Sequence, residues 1–134
     1  MRASYRDLRV WQLAMELVVG VYEQARNFPK HETYGLINQM RRAAVSIPSN
    51  IAEGKGRSSD RDRAHFFCQA RGSLLELETQ VLIAQRLQYL PDSEGEKLIA
   101  KSAQLGRMLN ALIQSLRDSE NPKIRSVVRY SGEP

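Results

Sequence analysis

Four stretches of apolar residues at helical spacing, three of them stopped by proline, leave this chain few folds to adopt. Trp11, Ala14, Met15, Val18, Tyr22 and Ala25 form one stripe, and Leu13, Leu17 and Val21 widen it; the stretch ends at Phe28-Pro29. A second helix is expected from near Glu32-Thr33 through Leu36, Ile37, Met40, Ala44, Ile47 and Ile51. A third opens at Ser59, an N-cap with Asp62 at capping-box distance, and continues through Phe66, Phe67, Ala70, Leu74, Leu77, Val81, Ala84 and Leu87 to Leu90-Pro91. The fourth carries Leu98, Ser102, Leu105, Leu109, Leu112 and Leu116, and stops at Asn121-Pro122. Proline lacks the N–H that a helix interior needs, so each stop is physical. No segment alternates with the period of a strand. Helices joined by short connections favour antiparallel neighbours, so the expected fold is all-α, an antiparallel up-down-up-down four-helix bundle.

At 134 residues the chain suffices for one domain with a core of its own. The bundle is placed at residues 1–117. Residues 118–134, whose last dozen lack sustained periodicity, are expected to form a flexible C-terminal tail. The single Cys68 cannot form an internal disulfide, and no apolar run approaches the roughly 20 residues that span a bilayer. The opening residues read as neither a signal nor a transit peptide. A cytoplasmic protein without a membrane role is therefore expected.

Pro48 interrupts the second stripe without ending it, since Ala44, Ile47 and Ile51 keep their spacing across it. This predicts a helix kinked at Pro48, not a loop. Ser46, Ser49 and Asn50 are short polar residues able to bond the backbone groups that proline frees. They are expected to reach the third helix near Gly72-Ser73, with Gly72 allowing close approach. The first helix has apolar residues on more than the 100–140° stripe that a bundle needs, counting Val10 and Val19. Its second face is expected to be buried against another subunit.

The formal charge is +5, and its excess is local. Residues 41–63 hold six basic side chains, Arg41, Arg42, Lys55, Arg57, Arg61 and Arg63, against three acidic ones, whereas residues 64–116 balance five against five. A positive patch attracts polyanions. Gly54-Lys55-Gly56-Arg57-Ser58-Ser59 has the wrong spacing for a nucleotide-binding loop and follows a helix instead of a strand. What remains is a basic turn before a helix N-terminus, where backbone phosphate could sit. The plainer reading is a glycine C-cap at Gly54, a solvated turn and an N-cap at Ser59.

Catalytic and metal constellations are thin. Asp62-x-x-His65 is a single instance where a carboxylate-bridged metal bundle needs a pair of such motifs, and His65 with Cys68 makes only two ligands. Cys68 beside His65 and the carboxylates Glu53 and Glu76 are the nearest approach to catalytic pairs. A core thiol and ion pairs with Arg41, Arg42 or Arg71 explain them without chemistry. No enzyme, cofactor or metal is expected.

Tyr5-x-x-Leu8-x-Val10-Trp11-Gln12, Phe28-Pro29, Tyr34-Gly35-Leu36, the run from Arg41 to Gly54 containing Ser46-Ile47-Pro48-Ser49-Asn50-Ile51-Ala52-Glu53-Gly54, and Gly72-Ser73-Leu74-x-Glu76 together resemble a known family. It is the four-helix-bundle proteins named for intervening sequences in large-subunit ribosomal RNA genes, and the likeness covers roughly residues 5 to 117. In this family pattern Pro48, Asn50, Glu53, Gly54, Gly72, Ser73 and Glu76 are motif positions of structural character. The resemblance implies a homopentamer with no established enzymatic activity. It also brings in a relative, the accessory variability determinant of diversity-generating retroelements, a basic bundle that binds nucleic acid and a reverse transcriptase.

The expected function is thus a non-enzymatic homo-oligomer, a pentamer by resemblance, that binds RNA or DNA through Lys55, Arg57, Arg61 and Arg63, with Arg41 and Arg42 less securely placed. The alternative is a scaffold or accessory subunit that docks an acidic protein encoded nearby and has no direct role with nucleic acid.

Overall fold

The computed structural model describes residues 4–120. Four helices make up the bundle: α1 (Arg9–Ala25), α2 (Leu36–Lys55), α3 (Asp60–Arg86) and α4 (Asp92–Glu120). Short 3-10 turns, Tyr5–Asp7 and Lys30–Glu32, precede α1 and α2. Each helix packs on two others, α1 on α2 and α4, and α3 on α2 and α4, so that α1 and α3 stand at opposite corners. The connections α1–α2 and α3–α4 meet at one end, where the Tyr89 hydroxyl donates to Glu32 Oε2 at 3.0 Å. That bond to a carboxylate raises the tyrosine pKa, with burial adding to it. The α2–α3 connection lies at the other end beside the N-terminal turn, where both line one cleft. Antiparallel packing places the connections in this way.

Proline sets the ends of the helices less tightly than the sequence implies. The Lys30–Glu32 turn delays α2 to Leu36, where Glu32 Oε1 accepts from the Leu36 N–H. Helix α3 stops at Arg86, ahead of Pro91, because Gln88 takes a left-handed conformation with φ 62°. The Tyr89 N–H then closes back on the Ala84 carbonyl at 2.9 Å, a glycine-type helix end built without glycine. Helix α4 continues to Glu120, so Asp118–Glu120 belong to the bundle and not to a tail. The rest of the expected tail, 121–134, lies outside the described residues.

The core joins Leu13 and Leu17 of α1, Ile47 and Ile51 of α2, Leu74 and Leu77 of α3, and Leu105 and Leu109 of α4, all essentially without solvent contact. In α1 the buried face is Val10, Leu13, Ala14, Leu17, Val21 and Ala25. Of the stripe expected to lead, Ala14 and Ala25 are buried, Trp11 and Val18 are half-buried against the core, and Met15 and Tyr22 are exposed, so the buried face is turned toward Val10, Leu13, Leu17 and Val21. Both faces have helical spacing, so periodicity alone cannot choose between them. Met15 (39%), Val19 (53%) and Tyr22 (37%) are left exposed, and Val45 of α2 (41%) adjoins them. A second exposed apolar row, Leu75, Leu82, Ile83 and Leu87, runs along α3. Leu87, expected in the core, is thus at the surface.

Helix α2 runs unbroken through Pro48. Asn50 Nδ2 donates to the Ser46 carbonyl at 2.8 Å and to Ser46 Oγ at 3.0 Å, and Ser46 Oγ bonds Ser73 Oγ of α3 at 2.8 Å. Ser49 Oγ donates to the Val45 carbonyl. These bonds go to the Val45 and Ser46 carbonyls and not to the Ala44 carbonyl that Pro48 leaves without its usual donor, while the expected bridge to Ser73 is made. The Pro48 ring is buried, which contributes about 0.8 kcal/mol per methylene against the roughly 3 kcal/mol cost of a proline inside a helix.

The close approach expected at Gly72 is made elsewhere. Gly72 is exposed, and a Cβ there would meet nothing within 4 Å. Gly54 is the crowded position: a Cβ would lie 2.8 Å from Phe67 Cε1 and 3.1 Å from Phe66 Cβ. Nor is Gly54 the C-cap, since α2 continues to Lys55 and Gly56 caps it. Gly54→Ala should destabilise the fold by about 1–3 kcal/mol through overpacking, despite the better helix propensity of alanine. Gly72→Ala should stabilise it by about 0.5–1 kcal/mol. Urea denaturation of both variants at matched protein concentration checks the pair, and equal shifts would contradict the packing.

Candidate nucleic-acid interface

The end of α2 and the start of α3 are linked by only four residues, Gly56–Ser59. The Gly56 N–H donates to the Ala52 and Glu53 carbonyls, and the Arg57 N–H to the Gly54 carbonyl at 3.2 Å. These donors serve the helix end, so the turn does not offer them to an anion as a phosphate loop would. At the start of α3, Ser59 Oγ accepts from the Asp62 N–H at 3.1 Å, and Asp60 and Asp62 place two carboxylates in the first turn. They already complement the positive helix end, which weakens the case for phosphate there. The basic side chains are the stronger candidates for an anion contact.

Three of the six basic candidates converge. Lys55, Arg57 and Arg63 line one open cleft of about 760 Å³ with Ser4, Tyr5, Ala52, Gly56 and Ser58, and among the described residues no acidic side chain lines it. Arg57 Cζ lies 4.5 Å from the centre of the Phe66 ring, and Arg57 also forms a 3.5 Å ion pair with Glu53 at the surface. Arg63 pairs with Asp60 at 2.6 Å. Each guanidinium has five donors, so one carboxylate leaves others for a ligand. Lys55 has no ion pair among the described residues, and neither has Arg61, which lies on the first turn of α3 outside the cleft lining.

Arg41 and Arg42 are elsewhere. Arg41 Cζ lies 4.9 Å from the centre of the Tyr22 ring, and its Nε is buried without a hydrogen-bond partner among the described residues. Arg42 lines a smaller recess between α2 and α3 with Ser46, Ser73 and Glu76. Neither pairs with Glu53, whose partner is Arg57. Glu76 accepts from Gln80 Nε2 at 3.3 Å, so the two carboxylates do not share a site. Arg71 also makes no ion pair, donating instead to Asn110 Oδ1.

His65 and Cys68 do not bond each other. His65 Nε2 meets Gln69 Nε2 at 2.9 Å, while Cys68 Sγ lies 3.6 Å from Arg117 Nη2. Among the described residues no cluster of His, Cys, Asp and Glu could hold a metal ion, and no helix is long and apolar enough to cross a membrane.

Tyr5 and Ser4 are the cleft residues that the reading of the basic turn missed. They belong to a 3-10 turn in which the Arg6 N–H donates to Ser4 Oγ and the Ser4 N–H to Asp7 Oδ2. The Ser4-x-x-Asp7 spacing is the available signal, a capping box at the edge of the chain. Tyr5 packs edge-on against Trp11, with ring centres 5.4 Å apart.

The architecture is shared with a solved structure, a protein with unknown function from the S23 ribosomal protein family of Bacteroides thetaiotaomicron. The likeness spans 78% of this chain and 97% of that one, with a TM-score of 0.73 and 20% identity, and at that identity it speaks for the fold alone. No match was found among curated proteins. The profile of the family described as 23S rRNA-intervening sequence protein matches residues 6–111, most of the chain and all four helices. This chain belongs to the 23S rRNA-intervening sequence protein family.

Proposed function

We propose that the protein is a non-catalytic homo-oligomer that binds RNA or DNA through the basic cleft between the N-terminal turn and the α2–α3 connection. One observation carries this reading: Lys55, Arg57 and Arg63 meet in a single open cleft whose lining, among the described residues, includes no carboxylate. The descriptions of the matched family and of the structural neighbour both refer to the ribosome or its RNA, which supports a nucleic-acid partner. Arg61 adds long-range attraction from outside the cleft.

Assembly is favoured by the two exposed apolar rows, one on α1 and α2 and one on α3. They differ in composition and lie on helices at opposite corners of the bundle. Two unlike patches are buried together when each subunit offers one to the next, a head-to-tail arrangement that closes into a ring. Five subunits is the number that the family resemblance implies. Residues 41–63 carry +3 per chain, and a ring multiplies that charge with the number of copies, strengthening attraction to a polyanion.

Two outcomes test this. Val19→Glu and Leu82→Glu, one on each patch, should each convert the assembly to single chains of 15.3 kDa in light scattering; assemblies untouched by both changes would contradict the ring. For binding, log affinity should fall linearly with log salt between about 50 and 200 mM. Changing Lys55, Arg57, Arg61 and Arg63 to alanine together should reduce affinity at low salt by at least about 100-fold. No binding at low salt, or full binding by the fourfold variant, would overturn the reading. Binding of a protein partner that survives nuclease and needs the same residues would point to a protein-docking role instead.

A further inference from the structure

We infer that the basic cleft is built for a single strand of nucleic acid and not for a duplex, with phosphates against Lys55, Arg57 and Arg63 and a base against Tyr5. The inference rests on the nucleic-acid reading above and specifies the form of that ligand.

Shape is the first argument. A duplex carries its phosphates on the outside of a cylinder and is read by protein elements that project into its grooves. Here the basic residues line a hollow of about 760 Å³ at the end of a bundle. That size falls in the range of about 300–1,000 Å³ typical of pockets that enclose small molecules, so it suits a nucleotide or two of a flexible strand.

The second argument is the company the cations keep. Single strands are held by a positive groove combined with aromatic faces, because bases freed from pairing expose flat apolar surfaces. Tyr5 lines the basic cleft and also the adjoining apolar groove that contains Trp11 and Pro48, so its half-buried ring stands where charge gives way to apolar surface. Its edge-on packing against Trp11 fixes the ring in place before a ligand arrives. Arg57 is similarly held against Phe66. Tyr5, Lys55 and Arg63 line the same cleft, so a strand whose phosphates meet the cations finds an aromatic ring within that cleft.

The third argument concerns the donors. The Gly56 and Arg57 N–H groups are engaged with α2 carbonyls, and the charge in the cleft is carried by the side chains of Lys55, Arg57 and Arg63. Long, mobile cations suit a continuous strand whose phosphates recur along its length.

Fluorescence anisotropy with the full chain tests the proposal, using a labelled strand of about 12 nucleotides as RNA and as DNA, and the same sequences as blunt duplexes. The single strand should bind at least about tenfold more tightly than the duplex. Tyr5→Ala should weaken the single strand by about tenfold, the worth of one stacked base, and leave the duplex unchanged. Tyr5→Phe should retain wild-type affinity. Tyr5→Leu keeps apolar packing on Trp11 and should show the same loss as alanine, guarding against a local folding defect in the smaller variant. Lys55→Ala should lower the slope of log affinity against log salt by about 0.7 for the single strand. Equal or tighter duplex binding, no loss in either Tyr5→Ala or Tyr5→Leu, or displacement of the strand by a nucleoside monophosphate at matched concentration would overturn this inference while leaving nucleic-acid binding intact. Failure of every strand and duplex to bind at low salt would overturn both.

Discussion

The contact of Gly54 with Phe67 is the constraint on which the basic end of the molecule depends. With no side chain at Gly54, the last turn of α2 lies directly on the Phe66–Phe67 face of α3. A four-residue connection can then join the two helices. The close crossing brings Lys55 and Arg57 at the end of α2 alongside Arg63 in the first turns of α3. Phe67 is buried beneath the crossing, and Phe66, half-buried beside it, supports the Arg57 guanidinium. A methyl group at residue 54 would push the helices apart at the point where the three cations converge.

The rest of α2 serves the same geometry. Asn50 bonds Ser46 one turn before it, and Ser46 in turn fastens α2 to Ser73 of α3. These polar contacts hold the register of α2 against α3 above the crossing. At the far end Tyr89 joins the two other connections through Glu32. The bundle is therefore tied by polar contacts at its far end and at mid-height, while its basic end stays open to solvent. Arg57 and Arg63 there pair with Glu53 and the half-buried Asp60, and Lys55 makes no ion pair among the described residues; a polyanion can exchange the exposed Arg57 pair at small cost because such pairs contribute little to stability.

How much of this can be read from the sequence depends on the kind of signal involved. Helix number, order and approximate ends are legible because Pro29, Pro91 and the Ser59 cap are local signals lying near the ends of α1 and α3 and at the start of α3. The link from Ser46 to Ser73 is legible because short polar residues in an apolar stripe need partners across the helix contact. The phase of α1 is not: Val10-Leu13-Leu17-Val21 and Trp11-Met15-Val18-Tyr22 both keep helical spacings of three and four, and only packing against α2 and α4 decides between them. The roles of Gly54 and Gly72 exchange for a similar reason. Both sit in helices, and which one faces a neighbour depends on rotation about the helix axis. Of the basic residues, the cluster in the α2–α3 turn is legible from local density, whereas Arg41 and Arg42 diverge by their helix positions. Tyr5 is far from that turn in the chain, and only the folded bundle brings it to the cleft.

The central claim is that the basic cleft between the N-terminal turn and the α2–α3 connection is the surface that meets nucleic acid. Hydrogen exchange of the full chain with and without a saturating single strand tests it most directly, because it locates contact without altering any residue. The account predicts slowed exchange in residues 4–8 and 52–64, with the α3–α4 connection at 87–92 unchanged. Protection confined to that far end, or to the recess around Arg42, would contradict it.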